Sequence, residues 1–231
     1  SVLIIFTTPR IFAESFYNNR DIYYLSINLI NLYFIQKLFL DFNFKNILIF
    51  SLISGMCINA RLFGLLILFL VFLFLILEYE DKISKRKLIS NLTLITLITF
   101  IFLILLTPYL WLNPLNNFIE YYFNDSYISS NILVTNLFLG NLYSSLNTPW
   151  YFYIVWIFFT IPVIFLFLII MGLFLKIIFF SKRILNLIPN RNLWVNNIEM
   201  FDLFVLISLV LTVFGMSRFS PVNYDGWRHL Y

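Results

Sequence analysis

Six long apolar stretches dominate this sequence and constrain its fold more than any other feature. They lie at about 22–40, 46–60, 62–77, 88–107, 151–175 and 202–216. Because 61% of the 231 residues are hydrophobic and only 11% are charged, polar groups cannot cover the surface of a water-soluble fold or solvate a disordered chain. The apolar runs are continuous rather than alternating, which excludes a transmembrane β-barrel. The sequence therefore predicts an all-α, polytopic bundle of about six transmembrane helices.

The lengths of these stretches bear on how they cross a membrane. A span needs about 20 residues, and the stretches at 46–60, 62–77 and 202–216 are shorter than that. We expect them to be tilted, extended by flanking residues, or re-entrant. Residues 1–8 have the character of the end of a further helix, and the chain stops directly after a polar cluster. We therefore interpret residues 1–231 as a single membrane-embedded core that is truncated at both ends.

Lysine and arginine predict the orientation of the spans, because cytoplasmic loops of membrane proteins are enriched in them. The basic run at 82–87 is placed in the cytoplasm, and counting spans outward from it leaves all but five of the 15 basic residues on that side. The five on the outer side are Arg10, Arg20, Arg61, Arg218 and Arg228. The net charge of +4 then reflects cytoplasmic loops rather than binding of nucleic acid.

The largest segment on the outer side runs over about 108–150 and is rich in Asn, Tyr and Ser. We expect it to be an extracytoplasmic loop region that contains short interfacial helices. Trp111, Trp150 and Trp156 lie near its ends and fit the belt of aromatic side chains found at membrane interfaces.

A first polar cluster, at 8–21, links the end of one apolar run to the start of the next. Pro9 favours the first turn of a short helix, on which Arg10 and Glu14 are four residues apart and share a face. Asp21 would cap or begin the following span, where a carboxylate is favourable. The cluster is either part of a functional site or a capped loop with an ion pair.

A second cluster, Asn59-Ala60-Arg61, lies at the outer turn between two short spans. A charged residue in that position is costly unless it is solvated or paired, so it is a functional candidate. The guanidinium of Arg61 offers donors that match a phosphate or a carboxylate. The alternative is an arginine that only reaches the headgroup level.

A third cluster, at 224–229, places an acid, a base, an imidazole and two aromatic rings just outside the last span. Tyr, Trp and Arg are all explained by anchoring at the membrane interface. Asp225 and His229 are not, and clusters of ionisable groups mark sites. We therefore expect Asp225, Arg228 and His229 to bind a substrate.

Other chemistries find no support in the sequence. With one Cys and one His, the chain has no cysteine-based metal site and no internal disulfide, and its scattered acids do not support a metal ion or another cofactor. The sequence contains no Walker A, HExxH, GxSxG or CxxC motif, so soluble nucleotide-dependent chemistry has no basis.

Three stretches together resemble polytopic glycosyltransferases of the GT-C class, which include the protein O-mannosyltransferases and the aminoarabinose transferases. They are 9–21, 55–61 and 224–231. The resemblance implies an enzyme of the cell envelope, in the bacterial inner membrane, with its active face outside the cytoplasm. It also implies a sugar donor linked to polyprenyl phosphate and an acceptor that is a lipid, a glycan or a protein.

The leaving group in such a transfer is a lipid phosphate, and its charge rises as the glycosidic bond breaks. Preorganised arginines stabilise that charge, and we expect Arg61 and Arg228 to do so, with Arg10 third. Asp21 or Glu14 would assist in taking the acceptor proton, while the resemblance places the main base upstream of Ser1. We expect these side chains to gather with His229 around one outer cavity.

Two other functions are open to a membrane protein of this kind. A transporter or flippase of a lipid-linked or anionic substrate would also use arginines in an outward cavity, but it predicts charges deep in several spans and an inverted repeat, and the sequence contains neither. A structural membrane subunit would leave Asp225 and His229 unexplained.

Overall fold

The computed structural model describes residues 8–79, 83–121, 135–145, 147–185 and 194–219. Within these ranges the chain is mostly helical, with one short hairpin. The helices are α1 Pro9–Glu14, α2 Asn19–Leu40, α3 Phe44–Ala60, α4 Gly64–Tyr79, α5 Lys85–Leu106, a 3₁₀ turn at Pro108–Leu110, α6 Pro114–Ile119, α7 Phe152–Thr160, α8 Val163–Leu185 and α9 Asn197–Phe219. The hairpin consists of β1 Thr135–Phe138 and β2 Asn141–Ser144.

Three helices are long and apolar enough to cross a membrane, judged by length and composition. They are Lys85–Leu106 in α5, Val163–Arg183 in α8 and Asn197–Gly215 in α9. Most of their apolar surface is not covered by the rest of the chain, and in α8 only 6% of the apolar window is buried. Lipid is the natural partner of such a surface, so the chain is a helical membrane protein.

The prediction of a helical membrane protein is confirmed, but the count of six spans is not supported. At about 1.5 Å per residue, the 17 residues of α3 and the 16 residues of α4 extend for roughly 25 Å, less than the hydrocarbon core of about 30 Å. The 22 residues of α2 are long enough, but Asn28, Asn31 and Gln36 make this helix less apolar.

The stretch predicted as one span at 151–175 is two helices instead. α7 ends at Thr160, and Ile161 is extended, with φ −84° and ψ 133°. Pro162 causes this break, because a proline disfavours a helical conformation in the residue before it and has no N–H to donate. The second helix, α8, then continues to Leu185, beyond the predicted end.

The loop region at 108–150 contains the expected short helices, the 3₁₀ turn and α6, together with a β-hairpin that was not predicted. β1 and β2 pair antiparallel, with Phe138 opposite Asn141 across a two-residue turn. The turn residues Leu139 and Gly140 both have positive φ, at 50° and 83°. Phe138 is buried and packs on Phe152 of α7, with ring centroids 4.9 Å apart.

The described residues divide into two compact units. One comprises those within 1–22, 116–179 and 209–231, and the other those within 23–115 and 180–208. In the second unit α3 and α5 approach closely at Gly55, where a Cβ atom would lie 3.0 Å from the backbone oxygen of Thr99. The same unit has an aromatic core made of Phe39, Phe74, Trp194 and Phe204.

Candidate functional site

Two carboxylates and one amide meet at the turn between α1 and α2. The side-chain nitrogen of Asn18 donates to Glu14 Oε2 at 2.6 Å and to Asp21 Oδ2 at 2.7 Å. Glu14 is 7% exposed and Asp21 is 2% exposed. We call these three residues the acidic turn.

The local sequence explains this geometry. Pro9 occupies the first turn of α1, which ends after six residues. The backbone N–H of Asn18 then donates to the carbonyl of Glu14 at 2.8 Å, which turns the chain back towards α2. Asn18 precedes the first residue of α2, and its Oδ1 accepts from the backbone N–H of Asp21 at 3.4 Å, as an N-terminal capping residue does.

The acidic turn holds negative charge in a place where charge is expensive. A buried carboxylate is tolerated only when hydrogen bonds or opposite charges compensate its lost solvation. Both hydrogens of the Asn18 amide are directed at carboxylates, and Asp21 also lies in the first turn of α2, where the helix dipole favours an anion. The two acids are therefore held in fixed positions.

The structure agrees with part of the prediction for this cluster. Pro9 begins a short helix that includes Arg10 and Glu14, and Asp21 lies in the first turn of the next helix, as expected. The side chain of Arg10 is not among those described, so the ion pair predicted between Arg10 and Glu14 stays a prediction.

Arg61 follows α3 directly and has an extended backbone, with φ −152° and ψ 139°. Its N–H donates to the carbonyl of Cys57 at 2.9 Å, and its own carbonyl accepts from the N–H of Gly64 at 3.0 Å. The side chain is half-buried, with the Nε atom fully buried. Gly64 is required for this turn, because a Cβ atom there would lie 2.8 Å from the backbone nitrogen of Ile58.

The surroundings of Arg61 are fixed by side-chain hydrogen bonds between α3 and the end of α5. Asn59 Nδ2 donates to Thr107 Oγ1 at 2.6 Å, and Thr107 is buried. Trp111 Nε1 donates to the carbonyl of Ile104 at 2.9 Å and so satisfies a carbonyl in the last turn of α5. The half-buried guanidinium of Arg61 therefore extends from a turn whose neighbours are held in place.

The predicted site residues fall into three groups in the structure. Glu14 and Asp21 are brought together by Asn18 in the first unit, and Arg61 belongs to the second unit. Asp225, Arg228 and His229 lie outside the described residues, so their roles and the gathering of all these groups around one cavity stay predictions. Among the described residues, no group of three His, Cys, Asp or Glu side chains is arranged to hold a metal ion.

Sequence reasoning did not single out Asn18 or a second polar cluster in the other unit. The buried carboxylate of Glu78 accepts a hydrogen bond from Trp194 Nε1, whose ring stacks on Phe74. Arg183 forms an ion pair with Glu199, with 2.5 Å between Nη1 and Oε2. The spacing of Asn196 and Glu199 is that of a capping box, a signal for the start of α9 that the sequence does contain.

The fold and these clusters define a helical membrane protein with a buried acidic turn and a half-buried arginine at a helix end. No family model, curated protein or solved structure matches the chain.

Proposed function

We propose that this protein is a membrane glycosyltransferase of the GT-C class, which moves a sugar from a polyprenyl-phosphate-linked donor to an acceptor on the extracytoplasmic face of the membrane. The acidic turn is the observation that carries the proposal. Glu14 and Asp21 are both nearly buried and share one amide at the entrance to the long helix α2. Ionisable groups held at such cost beside apolar helices are functional candidates by default.

The reaction needs a proton acceptor on one side and a stabiliser of negative charge on the other. The acceptor hydroxyl attacks the anomeric carbon, the bond from that carbon to the phosphate oxygen breaks, and the hydroxyl proton passes to a carboxylate. The departing lipid phosphate keeps the bonding electron pair. A guanidinium that forms two parallel hydrogen bonds to the phosphate stabilises this charge.

Within the acidic turn the two carboxylates have different roles in this proposal. In this proposal Glu14, which is 7% exposed where Asp21 is 2% exposed, assists in taking the proton from a bound hydroxyl. Asp21 is fixed by the amide of Asn18 and by its place in the first turn of α2, which suits a residue that positions the turn. We assign the phosphate to Arg61 and Arg228, with Arg10 third, and the sugar or phosphate to Asp225 and His229.

The proposal includes an orientation in a bacterial inner membrane, with residues 78–88 in the cytoplasm. The distribution of basic residues supports this orientation. Ser84, which is exposed before α5, is the position to label after substitution by cysteine. Labelling of Ser84→Cys by an impermeant reagent from outside intact cells would contradict the topology.

Transfer of a radiolabelled sugar from a polyprenyl-phosphate donor, measured with the full chain in proteoliposomes, tests the activity. Glu14→Gln should lower the transfer, because an amide cannot assist in taking the proton from the acceptor hydroxyl. Glu120→Gln is the matched control, since Glu120 is an exposed acid in the same unit and should transfer at the parental rate. If the donor crosses the bilayer and no polyprenyl phosphate is released, the protein is a flippase and the proposal is wrong.

A further inference from the structure

The hairpin of β1 and β2 has two unlike faces. On one face Phe138 is buried against Phe152 and lies 6.0 Å from the ring of Tyr151. On the other face Leu137 and Leu142 are directly opposite each other, and they are 69% and 74% exposed. Leu139, at the turn, is 62% exposed. One face of the hairpin is therefore attached to the protein, while the other face and the turn present three leucines.

The turn itself is costly for a leucine. A two-residue hairpin turn with positive φ at both positions is normally made by Asn-Gly or Gly-Gly. Leu139 adopts φ 50°, a left-handed conformation that is unfavourable for a residue with a bulky side chain. In water, the exposed side chain of Leu139 gains no burial free energy that could offset this cost. In an apolar environment, burial of the side chain would offset it.

The hairpin is also attached to a segment that leads into a helix long and apolar enough to cross a membrane. Through Phe138 it is packed on the first turn of α7, and α7 leads through Pro162 into α8, whose apolar surface is almost entirely uncovered. Trp150, between the hairpin and α7, is exposed and is of the residue type that favours the membrane interface. No charged residue occurs from 126 to 175.

We propose that the hairpin is a membrane-contacting element, with Leu137, Leu139 and Leu142 inserted into the headgroup region of the bilayer. The partner is the lipid surface itself. Charges would oppose this contact, and the stretch that contains the hairpin has none. The buried Phe138 fixes the angle at which the leucines leave the protein, so the contact is built into the fold.

Site-directed fluorescence quenching tests the contact with the full chain in liposomes. On a Cys57→Ala background, Leu142→Cys and Asn141→Cys are each labelled with an environment-sensitive fluorophore. The two residues are adjacent and exposed but belong to opposite faces of the hairpin. Lipids brominated near the headgroup should quench position 142 roughly twofold more than position 141, since interfacial segments lie about 5–10 Å into the headgroup boundary.

The outcomes separate the bilayer from other partners. Equal quenching at the two positions overturns the proposal. Blue-shifted emission at position 142 that disappears when the protein is diluted in lipid indicates a second copy of the chain instead, and it also overturns the proposal. A Leu139→Cys variant provides a second probe at the turn, and the same bromolipid quenching there supports the contact. None of these measurements needs a sugar donor, so they stand whether or not the protein is a glycosyltransferase.

Discussion

The side-chain amide of Asn59 donates a 2.6 Å hydrogen bond to the hydroxyl of Thr107, which joins the last turn of α3 to the residue that follows α5. The two residues are 48 positions apart, so this bond is tertiary rather than local. Asn59 lies two residues before Arg61, so this hydrogen bond helps to fix the position of the Arg61 backbone.

A double-mutant cycle on Asn59 and Thr107 should reveal a favourable coupling. Hydrogen bonds between helices of membrane proteins contribute about 0.6 kcal/mol on average, and up to about 1.7 kcal/mol. We expect Asn59→Ala, Thr107→Val and the double variant to differ from additivity by an amount in that range. Unfolding in detergent measures it, and strict additivity would show that the bond contributes nothing to stability.

Asn18→Ala should destabilise the acidic turn, because the half-buried side chain of Asn18 holds both carboxylates. The substitution removes two hydrogen bonds to charged groups, each worth about 1.5–3 kcal/mol, and the capping bond to Asp21. Asn19→Ala, one residue further and exposed, is the control and should unfold like the parent. Equal unfolding temperatures for the two variants would mean that Asn18 does not hold the carboxylates.

Part of this architecture follows from sequence patterns, and part does not. Continuous apolar runs predict helices because each run is longer than a strand, and the structure has helices where all six runs lie. Whether a helix is long enough to cross a membrane depends on the few residues at which it begins and ends. α3 has 17 residues and α4 has 16, so both are shorter than the hydrocarbon core. The break at Pro162 could have been predicted, since proline acts on the residue before it.

The hairpin and the acidic turn were harder to predict for different reasons. Leu139-Gly140 is not a usual turn pair, so nothing local signals the hairpin. Glu14 and Asp21 stand out in the sequence because they are charged residues beside an apolar run. Asn18 does not stand out, because an asparagine in a loop is common, and only three-dimensional folding brings its amide nitrogen to both acids.

Gly64→Ala should destabilise the turn that carries Arg61. The added methyl group would meet backbone atoms of Ile58 and Cys57, which cannot move aside as a flexible side chain can. Overpacking of this kind costs about 1–3 kcal/mol. Gly172→Ala is the matched control, because no atom outside its own helix lies within 4 Å of the added carbon. Thermal unfolding in detergent should give a lower unfolding temperature for Gly64→Ala than for Gly172→Ala. An equal fall in the unfolding temperature of both variants would refute the steric argument.

Arg61→Lys should impair use of the donor while leaving the fold intact. A guanidinium can hold a phosphate with two parallel hydrogen bonds, whereas an ammonium acts as a point charge. The loss of one charge-assisted bond, about 1.5–3 kcal/mol, corresponds to a fall of roughly tenfold or more in kcat/KM. The backbone of Arg61 makes the bonds to Cys57 and Gly64, and a lysine keeps both, so the turn should survive the change.

Arg20→Lys, at an exposed arginine in the first turn of α2, provides the control and should transfer sugar at the parental rate. The assay uses a polyprenyl-phosphate-sugar donor and variants compared at equal detergent-extracted yield. If Arg61→Lys extracts normally and transfers at the parental rate, Arg61 serves as an anchor at the headgroup level, and the phosphate-binding role passes to Arg228 or Arg10.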